Sequence, residues 1–222
     1  MAQVRARVEG VYTGRPAPLP DGRLSAIVKA PVTTPLKLGE LGLEGDQVAD
    51  TRVHGGPEQA LHQYPVERYA EWAKIFPEIS AQLVPGSIGE NISAPGMTED
   101  NVCIGDVFRW GDAEIQVSQP RMPCWKIDAR FGVEGLTEAV MHAGHAGWYY
   151  RVLHAGTVAA GLWLELVDRP LSAVSLAEFW ATQNAHRPGL DRLERVAAAP
   201  GLAPKWREKF RQRADWLRRN PS

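Results

Sequence analysis

The sequence predicts a mainly β protein of short strands with a few helices, followed by a small three-helix segment at its C-terminus. Three observations predict it. Residues 1–170 punctuate short β-rich runs with glycine and proline, which suits a barrel or sandwich better than a parallel α/β sheet. After Asp168-Arg169-Pro170 the apolar residues move to helical spacing. A chain of 222 residues holds one large domain, or one domain with an appendage, and buries a sizeable core without disulfide staples.

The strands are expected at 4–12, 24–29, 60–64, 107–110, 114–118, 148–153 and 161–167. Tyr69, Trp72, Ala73 and Phe76 recur at helical spacing, so one helix over 67–76 interrupts them, and a second is expected over 136–142. Beyond residue 170, Ser175-Leu176-Ala177-Glu178 has capping-box spacing and opens a helix carrying Leu176, Phe179 and Trp180. His186-Arg187-Pro188-Gly189 breaks it. Leu190, Leu193, Val196 and Ala197 mark a second helix, and Pro200-Gly201 breaks again. The third carries Trp206, Phe210, Arg213 and Leu217 on one side, with Arg213 expected to lie along that side by its methylenes. The division is thus 1–170 and 171–222. Three such short helices bury too little to stand alone, so they are expected to pack on the body or on a second subunit, a homodimer being the latter arrangement.

No apolar run reaches membrane-spanning length, and the N-terminus alternates apolar and polar residues instead of building a signal-peptide core. A strand in a cytoplasmic protein is the expectation. Net charge is -1, but residues 171–222 hold ten Lys and Arg against five Asp and Glu, while 1–170 hold fifteen against twenty-one. Without a base-reading motif this basic tail is weak evidence for nucleic-acid binding, stable binding of that kind is not expected, and an acidic protein partner fits it at least as well.

Only two cysteines are present. Cys124 lies in Ser118-Gln119-Pro120-Arg121-Met122-Pro123-Cys124-Trp125-Lys126, after two prolines and between two cations. Positive charge favours thiolate, the form that attacks electrophiles or ligates a soft metal. Cys103, in an apolar stretch without a neighbouring cation, reads as packing.

Three further segments are rich in glycine and polar residues where strands would be joined. They are Gly42-Leu43-Glu44-Gly45-Asp46, Asp50-Thr51-Arg52-Val53-His54-Gly55-Gly56-Pro57 and Pro85-Gly86-Ser87-Ile88-Gly89-Glu90-Asn91-Ile92. Such glycines either make tight turns or let backbone N–H groups close on an anion; with Arg52, Arg121, Lys126 and Lys37 in the pattern, a phosphate is the expected guest. His54 is a candidate metal ligand, base or phosphate contact. His142 and His145 lack partners at zinc-ligand spacing. No Gly-x-Gly-x-x-Gly, Walker loop or Gly-x-Ser-x-Gly elbow occurs, which argues against Rossmann dehydrogenases, P-loop enzymes and α/β-hydrolases.

In sequence order, Leu24-Ser25-Ala26-Ile27-Val28-Lys29, Gly42 to Asp46, Arg52 to Pro57, Gly86 to Asn91 and Gln119 to Lys126 together resemble the MOSC family, the molybdenum-cofactor sulfurase C-terminal domain. The likeness is to its YiiM-type branch and continues through Gly147-Trp148-Tyr149-Tyr150-Arg151-Val152-Leu153, with residues 172–219 similar to that branch's three-helix appendage. One departure stands out. Where the family pattern implies Lys after Gly-Gly-Pro-Asp/Glu, this chain has Gln59, one positive charge fewer at the pocket's edge.

The resemblance implies a MOSC-type β-barrel holding the molybdenum cofactor, a molybdopterin, with Cys124 as protein ligand to molybdenum. It implies a cofactor pocket of Lys29, His54, Gly55, Gly56, Gly89, Asn91, Arg121 and Lys126, and His54 and Asp46 are the proton-donor candidates. The implied reaction is two-electron reduction of small N-hydroxylated compounds, such as hydroxylaminopurine-type base analogues. Two cysteines cannot hold a four-cysteine iron–sulfur cluster, so electrons are expected from an external flavin or iron–sulfur reductase. The alternatives are a sulfur carrier with a Cys124 persulfide and a non-catalytic cofactor-binding protein.

Overall fold

The computed structural model describes residues 4–52 and 54–220. The first three residues of the N-terminal alternation and Val53 of the glycine-rich loop lie outside them. Among the described residues, nine strands form one sheet in the spatial order Arg5–Arg7, Trp163–Asp168, Val107–Trp110, Ala113–Pro120, Trp148–His154, Leu61–Gln63, Ile92–Ser93, Gly10–Thr13 and Ala30–Pro31. Its pairings are antiparallel except between Leu61–Gln63 and Ile92–Ser93, where Gln63 meets Ile92 in a parallel bridge.

The sheet is mixed, and its ladder is not a closed barrel. The stretch expected to be one strand over 4–12 is split: Arg5–Arg7 pairs with Trp163–Asp168 at one end, and Gly10–Thr13 pairs with Ile92–Ser93 near the other. Between them Val8 is fully buried and exchanges bonds with the 161–162 backbone (Val8 N to Leu162 O, 2.9 Å; Gly161 N to Val8 O, 2.7 Å), while Glu9 N turns to Ser93 O at 2.9 Å. A short covalent link, not a complete ladder, thus joins the two ends.

Period-two alternation explains the central strands. In Ala113–Pro120, Ala113, Ile115 and Val117 are buried, while Glu114 and Gln116 are partly exposed. Trp110, Trp148, Tyr150, Phe108 and Tyr64 fill the core beneath. The run 24–29 is a strand only over Leu24–Ser25, because Ser25 Oγ accepts the Ile27 N–H at 3.2 Å and Lys29 turns inward to an ion pair.

Helix α1 (Glu67–Ile75) falls where expected, and α2 (Lys126–Phe131) follows Cys124 directly. Helix α3 spans Leu136–Ala143. The C-terminal helices are α4 (Leu176–Asn184), α5 (Leu190–Ala198) and α6 (Pro204–Arg219). Ser175 Oγ caps α4 by accepting the Glu178 N–H at 3.0 Å. Phe179 meets Trp206 and Phe210 edge-on, with ring centroids 4.9 and 5.1 Å apart. Arg213 does more than lie along this face. Its guanidinium donates to the carbonyls of Thr182, Gln183, Ala185 and His186, satisfying the end of α4.

These helices pack on the body. Cys103 and Ile104 pair with Ser175 and Val174, the Ala177 N–H reaches Glu99 O at 2.8 Å, and the Ala203 N–H reaches Ser118 O at 2.9 Å. Among the described residues no helix is long and apolar enough to cross a membrane.

Candidate functional site

Lys29, Asp46, His54, Gly55, Gly56, Gly89, Asn91, Arg121, Cys124 and Lys126 line one cavity of about 420 Å³. Segments almost a hundred residues apart are thus brought together. Arg52 and Lys37 are not among the lining residues: Arg52 is exposed and paired with Asp50 at 2.9 Å.

The strand Ala113–Pro120 delivers the Cys124 segment. Its pairing with Trp148–His154 shifts register between Val117 and Gln119, and at this irregularity Ser118 Oγ donates to Glu58 O and lies 3.1 Å from Tyr149 O. Immediately beyond, the Arg121 N–H is held by Gly147 O at 3.0 Å. Arg121 is only 6% exposed, and its Nη1 is buried without a partner among the described residues. A buried guanidinium nitrogen with nothing to donate to is costly unless an acceptor enters the cavity. Lys126 adds a second charge to the lining. Cys124 sits half-buried between them in sequence, and Thr137 Oγ1 approaches its carbonyl at 3.2 Å. Next to it the Trp125 ring is covered by the Arg23 guanidinium, 3.4 Å from the ring centroid, tying the 17–25 hairpin to the cysteine.

The cavity lining also holds an internal ion pair. Lys29 Nζ donates to both oxygens of Asp46, the second at 2.6 Å; the Gly14 N–H meets Asp46 Oδ1 and Asn91 Nδ2 meets Oδ2, each at 2.7 Å. Every lone-pair direction of Asp46 is engaged, which makes it an anchor for Lys29 and leaves it poorly placed as a proton donor. Burial pushes the Lys29 ammonium below its ordinary pKa, opposed by the Asp46 charge. In Gly89-Glu90-Asn91 the outer two residues face the cavity, while Glu90 points into the core and accepts from the Tyr69 hydroxyl and, at 2.6 Å, from the Gly86 N–H.

His54 is half-buried, and burial followed by the charges of Lys126 and Arg121 holds its pKa below the ordinary imidazole value. The imidazole is therefore neutral at pH 7. At Gly56 φ is +83°, and a Cβ there would meet no atom within 4 Å, so the backbone is bare toward open space, as a cradle for an anion requires.

Sequence reasoning missed His62, Tyr149 and Ser25 as cavity residues. His62 is fully enclosed, its Nε2 lies 3.4 Å from Ala146 O, and burial drives its pKa well below the ordinary value. It reads in sequence as one residue of a strand flanked by Leu61 and Gln63, and no local signal separates it from packing.

The MOSC domain profile matches residues 50–164. The protein YiiM of Escherichia coli is 45% identical over 204 residues, covering 91% of this chain and 90% of that one. A Gibberella moniliformis protein named a reductase is 33% identical over 177 residues, 79% of this chain but 31% of that longer protein. The crystal structure of E. coli YiiM superposes with a TM-score of 0.81 at 38% identity, covering 96% of this chain and 94% of that one. That of YiiM from Geobacillus stearothermophilus gives 0.80 at 31%, covering 94% and 99%. On the profile match and these near full-length similarities, the chain belongs to the MOSC domain family.

Proposed function

We propose that this protein is a cytoplasmic, molybdenum-cofactor-dependent reductase of N-hydroxylated compounds, with residues 1–170 holding the site and 171–222 packed against them. The observation that carries the reading is the shared cavity of Cys124 and Arg121, where a thiol suited to a soft metal joins a buried cation whose Nη1 has no partner among the described residues. The name of the fungal relative supports a reductase.

The residues present fit the cofactor. Cys124 would ligate the molybdenum, Arg121 and Lys126 would bind the phosphate, and the bare backbone at Gly56 would let an anion approach. When bound, the cofactor supplies two-electron redox chemistry, for R–NHOH + 2 e⁻ + 2 H⁺ → R–NH2 + H2O. The chain supplies position, charge and proton handling. Neutral His54 presents one ring nitrogen as donor and the other as acceptor, so it can pass a proton inward and be refilled from the mouth. Asp46 keeps Lys29 charged and fixed.

Electrons come from a separate flavin or iron–sulfur reductase with an acidic surface. Its dock is α6, where Lys205, Lys209 and Arg211 are exposed. The deciding experiment measures molybdenum per chain in protein made by cells that assemble the cofactor, with turnover of 6-hydroxylaminopurine by a chemical reductant. Stoichiometric molybdenum and amine formation support the proposal. Metal-free protein with cyanide-labile sulfur on Cys124 identifies a sulfur carrier, and full molybdenum with no turnover a binding protein.

A further inference from the structure

The structure gives the side-chain amide of Gln59 unusual surroundings. It lines the cavity, its Oε1 is buried, and among the described residues neither end of its amide bonds to the protein. Three cations line the same cavity, yet none comes within hydrogen-bond distance of that oxygen.

Everything around Gln59 is pinned. It ends the 3₁₀ turn Pro57–Gln59, where its N–H reaches Gly56 O at 2.9 Å. On one side, Glu58 is paired with Arg151 through both carboxylate oxygens, and its carbonyl accepts from Ser118 Oγ at 2.6 Å. On the other, the Ala60 N–H is held by Tyr150 O at 3.0 Å, and the Gly42 backbone presses so close that a Cβ there would lie 2.5 Å from Ala60 O. The backbone of Gln59 has no freedom to seek a protein partner for its side chain. A buried acceptor held this way carries a cost that a donor reaching it from the cavity would relieve.

We infer that Gln59 reads an N–H group of the cavity's occupant by hydrogen bonding. The inference rests on the proposed function for the identity of that occupant. Two N–H sources share the chemistry: the ring edge of the pterin, and the N–H of an R–NHOH substrate.

The test compares wild type with Q59M, Q59E and Q59K, all made in cells that assemble the cofactor. Molybdenum and pterin retained after dialysis are measured, together with the Kd of 6-hydroxylaminopurine on the oxidised protein. Methionine keeps the length but has no comparable acceptor, so roughly a tenfold loss is expected. That loss falls on pterin retention if the pterin is read, and on the substrate Kd with pterin retention intact if the substrate is. Q59E, still an acceptor, keeps whichever quantity Q59M loses. Wild-type values for Q59M overturn the inference, and so does a pattern in which Q59K matches wild type and Q59E fails, since the buried atom would then be a donor. Wild-type protein free of molybdenum and pterin refutes the proposed function instead. In that event calorimetry of wild type and Q59M with 6-hydroxylaminopurine decides, and equal Kd or no binding by either overturns the role of Gln59.

Discussion

Asn91 Nδ2 donates to Asp46 Oδ2 at 2.7 Å while Asn91 Oδ1 accepts the His62 N–H at 3.0 Å, so one amide ties the cavity's ion pair to the strand that carries its buried histidine. The pair is therefore scaffold for the whole wall. Asp46→Asn takes away the counter-charge that holds buried Lys29 as an ammonium, leaving it either uncompensated or forced to give up its proton, and should destabilise the protein by roughly 3 kcal/mol. Lys29→Met combined with Asp46→Asn should recover most of that in urea unfolding. A single mutant within about 0.5 kcal/mol of wild type would show that the pair contributes little.

Cys124→Ser should abolish N-hydroxy reduction and lower molybdenum content at an unchanged apo melting temperature, since a hydroxyl is a far poorer soft-metal ligand. Cys103 should behave differently. Burial, with the Asp106 carboxylate adding, pushes its thiol pKa up, and it pairs with Ser175 at the junction with the helices. Cys103→Ser should alter stability and leave specific activity per molybdenum intact. Equal activity losses in the two folded variants would mean the wrong thiol has been chosen.

Arg121→Met should lower molybdenum and pterin content while leaving the apo protein as stable or more so, because the guanidinium has no ion-pair partner among the described residues. Lys126→Ala should lower occupancy too. Elemental analysis beside thermal unfolding separates binding from folding, and full occupancy in both variants would refute the anion-binding role.

His62 predicts acid sensitivity. Its imidazole is held neutral well below the ordinary pKa, so in the unfolded chain it takes up a proton first as pH falls through about 6.5. Stability contributed by this residue is present above that value and is lost progressively toward the depressed folded pKa. Unfolding free energy measured from pH 7.5 to 4.5 should fall less steeply for His62→Gln than for wild type. Parallel curves would exclude His62 as the source.

Docking of an acidic reductase on α6 predicts that reductase-driven turnover falls with ionic strength while turnover with a small chemical reductant does not. Reversing Lys205, Lys209 and Arg211 should abolish that salt dependence. Arg207 is left out of the set because its guanidinium donates to Ala199 O at 3.3 Å. An unchanged salt response in the folded triple variant would make α6 an ordinary solvated face.

The cavity was legible in outline because its walls come from segments with local signatures: glycine pairs, a cysteine preceded by two prolines, cations beside it. Work done by side chains across long sequence separations was not. Lys29 and Asp46 look like unrelated loop charges until the fold closes on them, and the free amide of Gln59 is visible only once the bonds of Glu58 and Ala60 are known. Strand positions followed from alternation wherever a long ladder partner existed, as at 107–110 and 148–153. Alternation failed over 24–29 and at Val8, where a side-chain bond or a change of partner overrides it. The guanidinium of Arg213, read as following an apolar face, is drawn off by four helix-end carbonyls that no periodicity reveals.

The junction at Val8 and Glu9 bears on how the chain is made. Strand Arg5–Arg7 pairs with Trp163–Asp168, more than 150 residues later in synthesis, and its continuation pairs with Ile92–Ser93. Through most of translation residues 5–13 therefore wait without their full set of partners, an unpaired edge of the kind that invites association between nascent chains. Arg5 and Arg7, both exposed on that strand, give the waiting segment like charges that oppose such pairing. Closing the sheet is the long-range, slow event of this topology, and it comes only after residues 161–168 have emerged.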